Sequence, residues 1–299
     1  MHLKFWGTRG SIATPGKSTV RYGGNTPCTE LRLKDNRLII LDAGTGIRNL
    51  GDKLVRSKKP IEAHVFITHP HWDHIQGFPF FKPAFIAGNE FTIVGGENDK
   101  VSLRNMINDQ MNKIYFPLQM NDLRAALKFQ RVGEEEINVY GVKVKTMYVN
   151  HPSFALGYRI TEGNRTLVYI SDNEPFDKEL AMTVRNVQPE IIQQYIISSN
   201  GDQNQRLYDF VRDADLLIHD TTYTPQEYKE RMGWGHSDYL FTLRVAAQGN
   251  VKRLVLFHHD PSHDDEAVDE IYAKCKEEIR KRKYTFECLP AIEGMELTV

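Results

Sequence analysis

Cysteine is scarce: Cys28, Cys275 and Cys288 are the three among 299 residues. Three scattered thiols cannot form a disulfide framework or a cysteine-rich zinc site, so buried or half-buried thiols are expected. An excess of charge of either sign is also missing, with 38 Lys and Arg against 39 Asp and Glu. No global basic field therefore exists to hold a large nucleic acid or an anionic membrane, and an anionic substrate has to be gripped locally. No apolar run reaches the roughly 20 residues needed to span a bilayer. Met1–Gly10 has neither the charged start nor the apolar stretch of a secretory signal, so a cytoplasmic location without membrane attachment is expected. Solenoid-period repeats and low-complexity tracts are absent, and Lys274–Lys283 reads as the solvated face of a helix. What remains, 40% hydrophobic and 26% charged residues, is an ordinary globular composition.

Short alternating or apolar runs bounded by turn residues predict strands at His2–Trp6, Cys28–Leu33, Arg37–Leu41 and Ile61–Thr68. A mixed stretch from about 78 to 136 reads as an insertion, with a strand near Phe91–Val94 and a helix over Lys100–Lys113. Val142–Tyr148, Ala155–Thr161 and Thr166–Ile170 predict a mostly antiparallel sheet. Leu216–His219 and Arg253–Phe257 read as buried strands, and Asp238–Gln248 and Asp264–Lys281 as helices. Strands with outer helices imply a layered α/β sandwich. No linker divides the chain, so one domain over 1–299 is expected.

The 11 histidines are unevenly placed. Thr68-His69-Pro70-His71-Trp72-Asp73-His74 packs three imidazoles and a carboxylate behind a predicted buried strand. Two imidazoles two residues apart can converge on one ion, while the Asp and His beyond can turn toward a second about 3.5 to 4 Å away. His69, His71, Asp73 and His74 match the HxHxDH signature and resemble the metallo-β-lactamase fold superfamily. Downstream, His151 follows the strand ending at Val149, Asp172 follows Val168–Ser171, and His258 closes Leu254–Phe257. The resemblance implies a four-layer αββα sandwich. It also implies one ion on His69, His71 and His151, another on Asp73, His74 and His258, and Asp172 bridging them. Adjacent strand residues point to opposite faces, so only one of His258 and His259 can face the metals, and motif register selects His258. Imidazole and carboxylate donors without cysteine favour two zinc ions and also admit manganese or iron. His71 stands where the di-iron redox branch has a carboxylate, which implies hydrolysis instead.

Ile218–Tyr223 and Gly235-His236-Ser237 resemble the acid-plus-GHS pair of the phosphodiesterase and transfer-RNA 3′-processing branch. That resemblance implies that His236 donates a proton to the leaving oxygen and that Asp220 orients its ring. Asp73, Asp220 and His236 thus form the candidate catalytic set, and a hydroxide shared by the two metals is the implied nucleophile. Phe5–Ser11, Arg21–Cys28, Leu41–Gly46 and Gln76–Phe81 resemble bacterial cyclic-nucleotide phosphodiesterases of this superfamily. Arg9, Arg21 and Asn25 either reach the substrate phosphate or brace their own loop. Asp42 is expected to orient the histidine cluster. Phe78, Phe80, Phe81, Tyr115 and Phe116 read as the insertion's own small core more readily than as base-stacking groups. Only 20 residues, Pro152–Ser171, separate His151 from Asp172, where the ribonuclease branch carries its substrate-gripping arm. A small phosphodiester such as a cyclic nucleotide is therefore the expected substrate, with a homodimer implied by relatives. The alternatives are an RNA-processing endonuclease and a non-catalytic nucleotide-binding metal protein.

Overall fold

The structure, a computed structural model, describes residues 1–98, 101–176, 202 and 204–299. In chain order its first elements are β1 (His2–Gly7), β2 (Cys28–Arg32), β3 (Leu38–Leu41), α1 (Gly46–Val55), β4 (Glu62–Ile67) and α2 (Trp72–Ile75). They are followed by β5 (Glu90–Gly95), α3 (Leu103–Asp109), β6 (Ala126–Arg131), β7 (Glu136–Val139), β8 (Val142–Val149), β9 (Ala155–Glu162) and β10 (Arg165–Ile170). The last are α4 (Gln205–Val211), β11 (Leu216–Asp220), α5 (Pro225–Glu230), α6 (Tyr239–Gln248), β12 (Arg253–Phe257), α7 (Asp265–Arg282), β13 (Glu287–Pro290) and β14 (Glu296–Thr298). They fall into two compact units, 1–133 with 292–298 and 134–291 with 299.

The first unit holds the mixed sheet β14-β1-β2-β3-β4-β5-β6. β14 through β3 pair antiparallel, and β3 through β6 pair parallel. β3 (Leu-Ile-Ile-Leu) is buried throughout, as a central strand covered on both faces must be. α1 makes the crossover from β3 to β4 and buries Ile47, Leu50, Gly51 and Leu54, the i, i+3, i+4, i+7 stripe of an amphipathic helix. The stretch 78–136 is built into this sheet rather than hung from it, because β5 and β6 extend the parallel ladder in full register. Its helix is shorter than the sequence suggested. Ser102 caps it by accepting from the Asn105 amide, and Lys100 lies outside the described residues. Phe78 and Phe81 are buried there, while Phe80 is exposed and packs edge-on to Phe116 at 5.2 Å.

The second unit holds the sheet β13-β12-β11-β10-β9-β8-β7. β8 and β10 both pair antiparallel with β9 and so run the same way. β11 and β12 run parallel to β10. The carboxyl ends of β8, β10, β11 and β12 therefore share one edge, the edge where ligand-binding residues of α/β sheets collect. The core packs Val168, Ile170, Leu217, Leu254 and Leu256 against Leu207, Phe241, Val245 and Ile271. α7 begins where Asp264 accepts from the Ala267 amide, and ends at Lys283 in the left-handed region (φ 56°). All three cysteines are buried. No helix among the described residues is long and apolar enough to cross a membrane.

Candidate metal centre and proton-transfer site

Each unit presents its polar residues where parallel strands end. In the first unit, β3 stops at Leu41 and Asp42 turns with φ 61°. The neighbouring β4 stops at Ile67, and Thr68 and His69 follow. Asp42 is fully buried and accepts from the Thr68 amide (2.8 Å) and from His74 Nδ1 (2.9 Å). The Thr68 hydroxyl lies 3.0 Å from the same carboxylate and 3.1 Å from His69 Nδ1. This is the orienting role expected of Asp42. Hydrogen bonds at Nδ1 leave Nε2 of His69 and His74 as the nitrogens open to a metal, the usual arrangement of imidazoles in metal sites. His74 Nε2 stands 3.1 Å from Asp73 Oδ2, and the Ser11 amide donates to that oxygen at 2.8 Å. The ring centroids of His69 lie 4.5 Å from His71 and 4.2 Å from His74.

Backbone approach sets this geometry. The Gly44 turn lies against α2, with the Ala43 amide on the His74 carbonyl and the Gly77 amide on the Ala43 carbonyl. A Cβ at Gly44 would come within 2.2 Å of the Asp73 carbonyl oxygen, so only glycine lets the two segments meet.

In the second unit, His151 follows β8, Asp172 follows β10, Asp220 ends β11 and His258 follows β12. His151 Nδ1 donates to the Gly235 carbonyl at 2.9 Å. His258, with φ 64°, has Nδ1 at 3.1 Å from the Thr222 hydroxyl and Nε2 at 3.3 Å from Asp172 Oδ2. His259 instead has Nε2 2.9 Å from the Ala291 carbonyl, so of the two adjacent rings it is His258 that faces Asp172. His236 Nδ1 lies 3.0 Å from Asp220 Oδ2 and 3.7 Å from Asp172 Oδ2, and its ring stacks on His258 at 4.8 Å. Asp220 also accepts from the amides of Asn173, Thr222 and Ser237, which fixes its carboxylate in one orientation.

The donor set fits divalent metal ions. Imidazoles with Nδ1 tied and Nε2 directed at buried carboxylates are neutral ligands beside anionic ones, as zinc, manganese or iron(II) require. In each unit carboxylate oxygens lie 2.9 to 3.7 Å from imidazole nitrogens.

Sequence reasoning missed Glu174. It is buried and accepts from the amides of Gly233 and Gly235, 2.6 and 3.1 Å away, and burial pushes its carboxyl above the usual range despite those donors. Its only sequence signal is its place two residues beyond Asp172. Thr68 and Thr222, each hydrogen-bonded to both a histidine and an aspartate, were likewise unflagged. Of the two readings open for Arg9 and Asn25, the observed bonds belong to loop bracing. Arg9 is fully buried with Nε on the Gly23 carbonyl (2.8 Å), and Asn25 Nδ2 donates to Glu293 (2.7 Å) while its Oδ1 accepts from Thr45 (3.0 Å). Arg21 is exposed, 5.8 Å from the Tyr22 ring. His263 pairs with Glu227 at 2.8 Å, a structural contact.

Comparison with known proteins agrees with this architecture. Ribonuclease Z of Thermoplasma acidophilum is 27% identical over 90% of this chain and 89% of its own. The metallo-β-lactamase fold protein YhfI from Bacillus subtilis superposes with a TM-score of 0.64 at 16% identity, covering 99% of each chain. A diphosphatase of the PhnP family gives a TM-score of 0.64 at 17% identity, covering 100% of this chain and 97% of that one. The family model described as a beta-lactamase superfamily domain matches residues 37–193, just over half of the chain, and the chain belongs to that superfamily, with the metallo-β-lactamase fold.

Proposed function

We propose that this protein is a metal-dependent phosphodiesterase with a binuclear metal centre, and that 1–299 acts as a single catalytic domain. His69, His71 and His151 would hold one ion, and Asp73, His74 and His258 the other, with Asp172 shared between them. When bound, two such ions bring the pKa of water toward about 7 and neutralise charge that builds up in an in-line displacement. Zinc is the first choice for this donor set.

The observation that carries the reading is His236, with Nδ1 3.0 Å from a carboxylate that four backbone and side-chain donors hold still. A proton held at Nδ1 by Asp220 leaves Nε2 to deliver the second proton to a leaving oxygen, and the adjacent carboxylate favours the imidazolium that must form first. Hydrolysis of a diester needs such a donor because an alkoxide leaves poorly.

A small diester, plausibly cyclic, is the substrate we favour. Residues 152–171 are spent on β9, β10 and a tight turn, which leaves no room there for an RNA-gripping arm. RNA processing is the second reading, favoured by the full-length similarity to ribonuclease Z. The test is hydrolysis of bis(p-nitrophenyl) phosphate by zinc-loaded protein, with Asp73→Ala as control, followed by 2′,3′- and 3′,5′-cyclic nucleotides and a precursor transfer RNA. Turnover of diesters that is lost in the control is expected. No diester turnover by protein carrying two ions refutes the proposal, and cleavage confined to the RNA selects the second reading.

A further inference from the structure

Glu174 has no part in the proposed bond cleavage, yet it is 1% exposed and its carboxylate holds the stretch of chain that leads into His236. Oε1 accepts from the Gly233 amide at 2.6 Å and Oε2 from the Gly235 amide at 3.1 Å, and the Tyr228 hydroxyl on α5 is a third donor. Both glycines occupy the left-handed region, with φ 88° and 90°, and this lets the turn present both amides to one carboxylate. The Gly235 carbonyl in turn accepts from His151 Nδ1 at 2.9 Å, and a Cβ on Gly235 would meet that nitrogen at 2.2 Å. A carbonyl can only accept, so this contact keeps the ring proton on Nδ1 and leaves the Nε2 lone pair of His151 for a metal.

Glu174 is itself anchored. Its amide donates to the Asn150 carbonyl at 2.7 Å, the Asn150 amide donates to Asn173 Oδ1 at 3.2 Å, and Asn150 Nδ2 donates to the Pro175 carbonyl at 2.8 Å. The residue before His151 and the three residues after Asp172 are thus bonded into one block, and the carboxylate ties the 233–235 turn to it. Beyond His236, the Ser237 amide and hydroxyl are held by Asp220 and the Asn173 carbonyl, and the Ser237 carbonyl accepts from the Tyr223 amide. His236 therefore hangs between two fixed points, Gly235 and Ser237, and Glu174 sets the first. None of its three donors is a cation, and a buried carboxylate without a cationic partner costs stability. Holding two amides at once calls for two acceptor oxygens on one rigid group, which a carboxylate supplies and an amide side chain does not.

We propose that Glu174 is a positioning residue: through the two glycine amides it places the Gly235 carbonyl on His151 and holds His236 at its Asp220 partner. What the two histidines then do rests on the phosphodiesterase reading, whereas how they are held rests on the bonds just described.

The test compares wild type with Glu174→Gln and with Ile271→Ala, a control that loosens the core packing of α7. Glutamine keeps the size of the side chain but replaces one acceptor oxygen with a donor, so one of the two glycine amides loses its partner. Expected in Glu174→Gln are an upfield move of the Gly233 or Gly235 amide proton and loss of exchange protection at the His151 Nδ1 proton in proton–nitrogen correlation spectra. Zinc affinity, read by chelator competition, should fall by about 10- to 100-fold, the range for groups that orient a ligand. Ile271→Ala should lower the urea midpoint and leave all three readings unchanged; the same losses there would trace them to stability and overturn the proposal. Zinc-loaded Glu174→Gln should also slow diesters with alkyl leaving groups more than p-nitrophenyl ones, because the loss falls on His236. Folded Glu174→Gln protein whose His151 Nδ1 proton is as protected as in wild type overturns the proposal, and equal losses for both leaving groups overturn its His236 part. Should the variant not fold, wild type decides: a His151 ring proton on Nε2 in metal-free protein, or glycine amides without the downfield shift of a carboxylate partner, overturns it. Wild type that binds zinc and shows these signals but hydrolyses no diester refutes the phosphodiesterase reading and leaves the role of Glu174 toward His151 standing.

Discussion

Replacing Asp42 with Asn tests how the first unit prepares its histidines, and the outcome follows from counting donors. The buried carboxylate faces His74 Nδ1 on one oxygen and the Thr68 amide on the other. An asparagine side chain has one acceptor and one donor end, so it cannot satisfy both. If its NH2 faces His74, Nδ1 must become an acceptor and the ring proton moves to Nε2, the atom needed for coordination. If its oxygen faces His74, NH2 confronts the Thr68 N–H in a buried site. Either arrangement forfeits a charge-assisted hydrogen bond worth about 1.5 to 3 kcal/mol. Charged against the metal-bound state, that is a loss of about 10- to 150-fold in affinity, consistent with the 10- to 100-fold typical of such supporting contacts. The assay is zinc competition with a chromogenic chelator on purified Asp42→Asn protein, with circular dichroism to establish that it is folded. Folded protein with wild-type zinc affinity would refute the reasoning.

Three further predictions come from the same contacts. His236→Ala is expected to slow hydrolysis of diesters with poor alkyl leaving groups by about 10²- to 10⁴-fold. The effect should be markedly smaller with p-nitrophenolate, which needs little protonation; equal losses for both leaving groups would remove the proton-donor role. Gly235→Ala forces a non-glycine residue to φ 90° and drives a Cβ onto His151. It should cost about 1 to 3 kcal/mol from the backbone alone, seen as a lower urea midpoint, and reduce bound zinc as measured by elemental analysis. Glu30, buried between Arg32, Lys53 and the Trp6 indole N–H, is subject to burial, which raises its pKa, but the hydrogen bonds and charge of Arg32 and Lys53 outweigh this and hold it low. A carboxyl whose folded pKa lies below its unfolded value of about 4.3 stabilises fully above that value and loses this contribution as pH falls through the folded pKa. Glu30→Gln should therefore lower the urea midpoint at pH 7, with the difference from wild type shrinking toward pH 3; a gap that stays constant would show that charge is not responsible.

What could be read from the linear chain was whatever local chemistry encodes. His69, His71, Asp73 and His74 are legible because their function is compressed into six residues behind an apolar strand. β8 to β12 are legible because their apolar runs are long enough to show a period or a buried stretch. α1 was missed because Gly46 and Gly51 lower its helix propensity, and its amphipathic stripe is matched only by the sheet beneath it. β14 spans three residues, too few for any pattern, and is defined by pairing with β1 from the far end of the chain.

Sequence by itself determined the donor types, their order and hence the superfamily, since the residue chemistry that binds metal is a property of the side chains. Tertiary structure alone decided which atoms of those donors point where. The Asp42–His74 bond joins residues 32 apart and the His151–Gly235 bond residues 84 apart, and no local propensity reports on either. It also turned His258 rather than His259 toward Asp172, and tied Arg9 to the Gly23 carbonyl and Asn25 to Thr45 and Glu293. The physical reason is that a hydrogen bond selects a ring nitrogen or a guanidinium direction only when its partner arrives, and these partners arrive by folding.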